Sequence, residues 1–246
     1  MSNNPNMSGS PVIYFDAAYT LIKPRAKLGL IYAEVAKRFG FNPNAEALSA
    51  EFPKVFAELR QQRPIQPGKP QSPEETRAFW CLVIETIFTR AGEPFPPNPY
   101  TQVLFDEFST TTCWELYPDA TEVLKTLRAR GFRLGLLSNF DYRLEALIKN
   151  LGLAELIDGL VASYQTGVEK PDPIAFEAAE KQLPAASSYT MVGDHWQDDV
   201  CGALSVGWKA IWVDRAGAMS LSPADSLHRE ESVPRCTSLM EILKYL

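Results

Sequence analysis

Hydrophobic and polar positions are arranged in two ways along this chain, and the arrangement changes near Pro118. Beyond it, short apolar runs at Arg133–Ser138, Gly159–Ser163, Tyr189–Gly193 and Lys209–Val213 alternate with Asp119–Arg130, Tyr142–Leu151, Pro173–Gln182 and Gln197–Val206. The runs read as strands buried on both faces. The longer segments repeat their apolar residues at helical spacing. Strict strand–helix alternation predicts a parallel sheet with helices packed on it. Gly131, Gly152 and Gly207 sit just past three of the predicted helices, where a left-handed C-cap is expected. With a further strand at Val12–Asp16, the prediction is a doubly wound α/β fold.

Before Pro118 the pattern is helical. Residues 17–132 separate the first strand from the second, whereas a parallel crossover needs only a dozen or so residues. A second domain is therefore inserted after the first strand. Within it, Lys27–Phe39, Ala45–Arg60, Pro73–Arg90 and Pro99–Thr111 read as helices of a small bundle, divided by the Pro- and Gly-rich QQRPIQPGKPQSP and AGEPFPPNP. The expected division is a core of residues 1–22 and 113–246 with an inserted helical domain of 23–112, hinged near Leu21–Arg25 and Thr112–Pro118.

Composition narrows the function classes. The 246 residues carry 24 basic and 30 acidic side chains, a net charge of -6. That sign opposes long-range attraction to nucleic acid or anionic lipid, so neither is an expected partner. No apolar stretch approaches the ~20 residues of a membrane-spanning helix. The opening MSNNPNMSGS has neither the basic start nor the apolar core of a signal peptide and reads as a short tail, which makes a cytoplasmic location the expectation. Cys81, Cys113, Cys201 and Cys236 form no C-x-x-C pair and read as reduced thiols rather than a zinc or redox motif.

Ligands of open α/β sheets bind at the carboxyl ends of the strands, where the winding reverses, so the residues that follow each strand carry the chemistry. In VIYFDAAYTLI, Asp16 is either a turn cap or a nucleophile and metal ligand. In LGLLSNFD, Ser138 and Asn139 either cap the next helix or bond an anionic oxygen. In GVEKPDP, Lys170 is a loop lysine whose ammonium could stand at the same strand ends. In MVGDHWQDDVCGA, Asp194, Asp198 and Asp199 crowd a strand end and helix start. Such acids repel one another unless a cation lies between them, which favours a Mg²⁺ site.

Taken in this order, with ELYPDATEVLKTLRARGFRLGLLSNFD and TGVEKPDPIAFEAA between them, these motifs resemble the haloacid dehalogenase (HAD) superfamily over essentially the whole chain. The resemblance implies a Rossmann-like core with an α-helical cap inserted after motif one. It also implies a hydrolase, on balance a Mg²⁺-dependent phosphatase of a small phosphorylated metabolite. By that resemblance Asp16 becomes an aspartyl phosphate and Lys170 neutralises charge. Ser138, Asn139 and Lys170 hold the phosphoryl group, while Asp16, the carbonyl of Ala18, Asp194 and Asp199 hold the metal. Asp198 is the neighbour that could replace Asp199.

Motif one departs from the family pattern. Most family phosphatases read D-x-D-G-T, and this chain reads Asp16-Ala17-Ala18-Tyr19-Thr20. Ala18 keeps a backbone carbonyl for the metal but cannot protonate a leaving group, a loss worth about 10²–10⁴ in rate. Tyr19 replaces a glycine that tolerates positive φ. Its expected role is packing rather than proton donation, and His195 reads as a helix-start residue. Two related chemistries also lack the second acid: C–P cleavage through a lysine of the inserted domain, with Lys37 and Lys54 as candidates, and metal-free C–halogen cleavage. A non-catalytic phosphate-binding module is the third alternative. Arg60, Arg63, Phe79 and Trp80 are candidates for lining a pocket from the inserted domain.

Overall fold

The computed structural model describes residues 9–63, 66–215 and 233–246. Most of the opening segment read as a tail, and part of the first Pro-rich divider, fall outside them. The chain divides into two compact units, one of residues 1–23, 67–70 and 116–246 and one of residues 24–66 and 71–115.

In chain order the elements are β1 (Val12–Phe15), β2 (Ile22–Pro24), α1 (Leu28–Lys37), α2 (Ala45–Gln62), α3 (Pro73–Ala91), α4 (Tyr100–Glu107), β3 (Trp114–Leu116), α5 (Ala120–Ala129), β4 (Arg133–Ser138), α6 (Arg143–Asn150), β5 (Gly159–Ala162), α7 (Ser163–Thr166), α8 (Pro173–Gln182), β6 (Tyr189–Gly193), α9 (Gly202–Ser205), β7 (Lys209–Val213), β8 (Arg235–Cys236) and α10 (Leu239–Ile242). A wide π-helical turn, Trp196–Cys201, precedes α9.

The first unit is built on a six-stranded sheet in the order β5-β4-β1-β6-β7-β8, and each pairing is parallel. The chain winds outward from β1 through β4 to β5, then returns to β6 on the other side of β1 and continues to β8. The reversal puts the C-terminal ends of β4, β1 and β6 side by side, the crevice in which such sheets bind ligands. This is the doubly wound α/β fold that the strand–helix alternation predicts. All four β1 residues are fully buried, which explains why β1 has no polar alternation. Tyr14, Phe176, Met191 and Trp208 pack in one core cluster. The Tyr14 hydroxyl is satisfied by donating to Ala179 O at 2.6 Å.

The second unit contains α1–α4. Its boundaries follow local signals. Ser72 and Glu75 form a reciprocal capping box at the start of α3, where Pro73 occupies the first turn. Asn44 caps α2 by accepting from Glu46 N and Ala47 N. Tyr100 in α4 donates its hydroxyl to Tyr32 O in α1 at 3.0 Å, and its ring packs edge-on against Phe88 of α3.

Several sequence-derived boundaries are corrected. The strands expected to end on Asp16 and Ser163 stop one residue earlier, which releases Asp16 into a loop and lets Ser163 begin α7. The helix expected over Pro99–Thr111 is only Tyr100–Glu107, followed by turn hydrogen bonds at Ser109 and Thr110. The helix expected over Gln197–Val206 begins instead as the π-helical turn, entered through an α-type bond from Asp199 N to His195 O and through Asp198 N, which bonds His195 Nδ1. The segments read as hinges carry β2 and β3, which pair in a two-stranded ribbon. β8 and α10 are too short to have left a periodic signal.

Candidate active site

The side chains that the sequence singles out converge at the ends of β1, β4 and β6. Asp16 leaves β1 with its N–H bonded to Val192 O of β6. Ser138 ends β4, buried. Lys170 comes from the loop before α8 and is 1% exposed, and its ammonium uses all three donors: Asp16 Oδ1 at 2.8 Å, Asp199 Oδ1 at 2.6 Å and Leu137 O at 2.6 Å. Asp194 follows β6 and accepts the Thr20 hydroxyl at 3.1 Å. One carboxylate oxygen each of Asp16, Asp194 and Asp199 lies within 4.8 Å of the others.

Two features of the sequence make this crowding feasible. Gly193 has no side chain where one is intolerable, because a Cβ there would stand 2.1 Å from Asp199 Oδ2. Asp199 is then oriented from both ends, by Lys170 on Oδ1 and by the His195 N–H on Oδ2 at 2.9 Å.

Burial raises the Asp16 carboxyl above its ordinary value. The Lys170 ammonium opposes that, Asp199 adds to it, and the Ser138 hydrogen bond lowers it again. Asp194 is raised well above the ordinary range by burial and by the charges of Asp16 and Asp199, against which the Thr20 hydroxyl and Lys170 act. For Lys170 burial alone would push the ammonium down, yet Asp16 and Asp199 outweigh burial and hold it above the ordinary lysine value. The cluster is an anionic pocket with one built-in cation.

Not every candidate faces that pocket. The Asn139 amide bonds the Lys170 backbone on both sides, accepting from its N–H at 2.7 Å and donating to its carbonyl at 3.0 Å, and reaches Asp198 Oδ2 at 3.2 Å. Its polar atoms hold the lysine loop against the π-helical turn. Of the two neighbouring acids, Asp199 joins the carboxylate cluster while Asp198 lies with Asn139. His195 caps the turn through Nδ1, as a helix-start residue does.

Motif one forms a tight turn in which Leu21 N and Ile22 N both bond Ala17 O, and Ala18 bridges to Ile22. Tyr19 takes φ 62°, so the tyrosine adopts the left-handed conformation that glycine would favour. Such a backbone costs about 1–3 kcal/mol in a non-glycine residue. Its phenol is pushed up to about 12 by burial, Asp194 and Tyr117.

Comparison with known proteins decides the family. The sequence model of the haloacid dehalogenase-like hydrolases matches residues 13–207. The chain belongs to this family. The HAD-like hydrolase is 31% identical over 243 residues to human haloacid dehalogenase-like hydrolase domain-containing protein 3, covering 96% of this chain and 94% of that one. Among solved structures it resembles an L-2-haloacid dehalogenase with a TM-score of 0.69 at 24% identity, over 97% of this chain and 98% of that one. It also resembles a HAD phosphatase from Thermococcus onnurineus with a TM-score of 0.60 at 20% identity, over 96% and 97%. One fold thus serves both chemistries, and at these identities the likeness is of fold alone. No helix among the described residues is long and apolar enough to cross a membrane.

Two contributors escaped the sequence reading. Trp212 donates its indole N–H to Asp194 O at 2.9 Å, and Arg215 donates to Thr20 O at 3.2 Å. A tryptophan inside an apolar strand and an arginine just past its end carry no distinguishing sequence pattern.

Proposed function

We propose that this HAD-like hydrolase is a divalent-metal-dependent phosphatase of a small phosphorylated metabolite, acting through a covalent aspartyl phosphate on Asp16. One observation carries the reading. Three carboxylates within reach of one another, partnered by a single buried ammonium, leave two negative charges in excess. That excess is what one divalent cation neutralises, and hard carboxylate oxygens suit Mg²⁺.

The donor set fits the ion. Asp16, Asp194 and Asp199 would hold it, joined by the Ala18 carbonyl in the family pattern. Bound there, Mg²⁺ would neutralise phosphoryl oxygens and help orient the ester. The chain's own groups do the rest. Lys170 orients the Asp16 carboxylate through Oδ1 and remains cationic beside it. Ser138 stands with Asp16 at the strand ends, where its hydroxyl can bond a phosphoryl oxygen. Asp16 attacks phosphorus, the phosphorus–oxygen ester bond breaks, and its electron pair leaves with the alcohol oxygen. Ala18 supplies no proton, so that oxygen takes one from water. Water then attacks the aspartyl phosphate, releasing inorganic phosphate and restoring the carboxylate.

A missing acid penalises poor leaving groups. Aryl and acyl phosphates are therefore expected to turn over about 10²–10⁴-fold faster than simple alkyl phosphates, and Ala18→Asp is expected to narrow the gap. A cytoplasmic setting and a small-molecule partner belong to the same reading.

The test is rapid-mixing release of p-nitrophenol from its phosphate ester, with Mg²⁺ or EDTA, in the natural protein and in Asp16→Asn. A Mg²⁺-dependent burst that Asp16→Asn abolishes is expected. Release undiminished in the variant sinks the covalent step. A second reading draws on Ala18 itself: a halide departs without a proton, so attack of Asp16 on a carbon–halogen bond needs no second acid. Halide release from a 2-haloacid in EDTA, with no phosphatase burst, would put that reading first.

A further inference from the structure

We infer that Arg215 is a positioning residue that sets the direction of the Asp194 carboxylate through Thr20. The inference rests on the metal-site reading above and assigns a task to a residue outside the family motifs. Arg215 lies two residues past the end of β7, and its side chain is 10% exposed. Its guanidinium stacks 3.8 Å from the centre of the Tyr117 ring and engages both oxygens of Asp119, at 2.8 Å and 3.3 Å. Asp119 is anchored in turn. It precedes α5, and its Oδ2 also accepts the Leu239 N–H at the start of α10 at 2.8 Å.

From that anchored frame Arg215 donates to the Thr20 carbonyl, and Thr20, fully buried, donates its hydroxyl to Asp194 Oδ1. The chain of contacts thus runs from α5 through Arg215 and Thr20 to a carboxylate of the acidic cluster. The need for an outside restraint is visible one residue earlier, at Tyr19 with φ 62°. The other backbone bonds of this turn tie Tyr19, Leu21 and Ile22, and the Thr20 carbonyl is held by the arginine.

Stability alone is a poor account of this arginine. Its Nε is buried with no acceptor among the described residues, and buried ion pairs add little net stability over a well-packed apolar replacement. What a planar fork contributes is direction. It is gripped by Asp119 along one edge and stacked on Tyr117, so it cannot swing, and one N–H is left aimed at Thr20.

The experiment is a double-mutant cycle on Arg215→Met and Thr20→Val, with Arg215→Lys as the conservative control. It is read by Mn²⁺ binding in electron paramagnetic resonance titrations and by melting temperature. Each single change is expected to weaken Mn²⁺ binding about 10-fold, as loss of a partner that orients a ligand does. The double variant should bind no worse than the weaker single one, because both lie on one path. Arg215→Lys should recover part of the affinity. Additive losses, or a lower melting temperature with unchanged Mn²⁺ affinity, overturn the assignment and leave Arg215 a structural residue. If Arg215→Met does not fold, Arg215→Lys and Thr20→Val complete the cycle.

If the natural protein binds no Mn²⁺, the metal reading fails by itself. The positioning role is then judged on the metal-free protein by amide hydrogen exchange at Tyr19, Leu21 and Ile22. Faster exchange there in the Arg215 variants, together with a shifted Asp194 side-chain carboxyl ¹³C signal, upholds it, and unchanged exchange, or faster exchange with an unmoved Asp194 signal, overturns it.

Discussion

Lysine–carboxylate pairs occur in both units of this protein, with opposite consequences. In the helical unit Lys27 meets Glu46 at 2.9 Å and Lys37 meets Glu34 at 2.6 Å, with all four side chains at least half exposed. In the first unit Lys170 meets Asp16 and Asp199 at nearly the same distances, with its own side chain 1% exposed. Water screens the first kind, so each partner is nearly as comfortable alone as paired. Burial makes the second kind interdependent, because removing one charge strands the others in a medium that solvates them poorly. Distance therefore says little about what a pair does, and burial says whether its charge is available for chemistry.

The largest break in this contrast should come from Lys170→Met. Uncompensated carboxylates at Asp16 and Asp199 are expected to cost about 3–5 kcal/mol, a fall of roughly 10 °C in melting temperature for a chain of this size. The deficit should shrink as the pH is lowered, since protonating Asp16 removes part of the stranded charge. A thermal melt unchanged from the natural protein would mean that the buried pair is worth no more than a surface one.

A smaller effect sharpens the role of Asp194. Its carboxyl is held well above the ordinary aspartate value, chiefly by burial, and Asp16 shares the direction. Between that ordinary value, about pH 4, and the raised one, the folded chain binds more protons than the unfolded chain. These groups therefore make stability fall as pH rises through the window. Lys170 has the same sign in a different window, its stabilising contribution being present at and below the ordinary lysine range and lost only at strongly alkaline pH. Between pH 5 and 8 in EDTA, the natural protein is expected to lose melting temperature relative to Asp194→Asn. Added Mg²⁺ should restore it, and more so at the higher pH. A constant difference between the two proteins across this range would contradict the burial argument.

The smallest effect is expected at the surface. Lys37→Ala should leave both melting temperature and turnover within error of the natural protein, at low salt and at high salt alike. A measurable loss would show that the helical unit depends on its surface charge after all.

The site was legible in unequal parts. Asp16, Ser138 and Asp194 could be named because each stands at the end of an apolar strand, and a parallel sheet delivers every strand's C-terminal end to one edge, whereas Lys170 was named from its place before the proline of GVEKPDP that leads into a helix. The family resemblance put Asp199 ahead of Asp198, and in the structure the π-helical turn swings Asp199 beneath Gly193 toward Lys170 and leaves Asp198 with Asn139. Asn139, grouped by sequence with the anion-binding residues, has its amide engaged with Lys170 and Asp198. Tyr19 stands where the family pattern has a glycine, and the fold holds it at positive φ.

What this sequence determined by itself is periodic and local. Apolar runs and helical spacing specify β1, β4–β7 and the larger helices, and Ser72, Asn44 and Asp172 specify where helices begin, because a hydrophobic face and a cap act within one or two turns of chain. Only the tertiary structure decided the charges. Thr20, Asp119 and Arg215 are far apart in sequence, as are Asp16, Lys170 and Asp199, and no periodicity links them. They meet because the sheet reverses direction at β1, and burying its strands there removes the water that would otherwise have kept each charge independent of the rest.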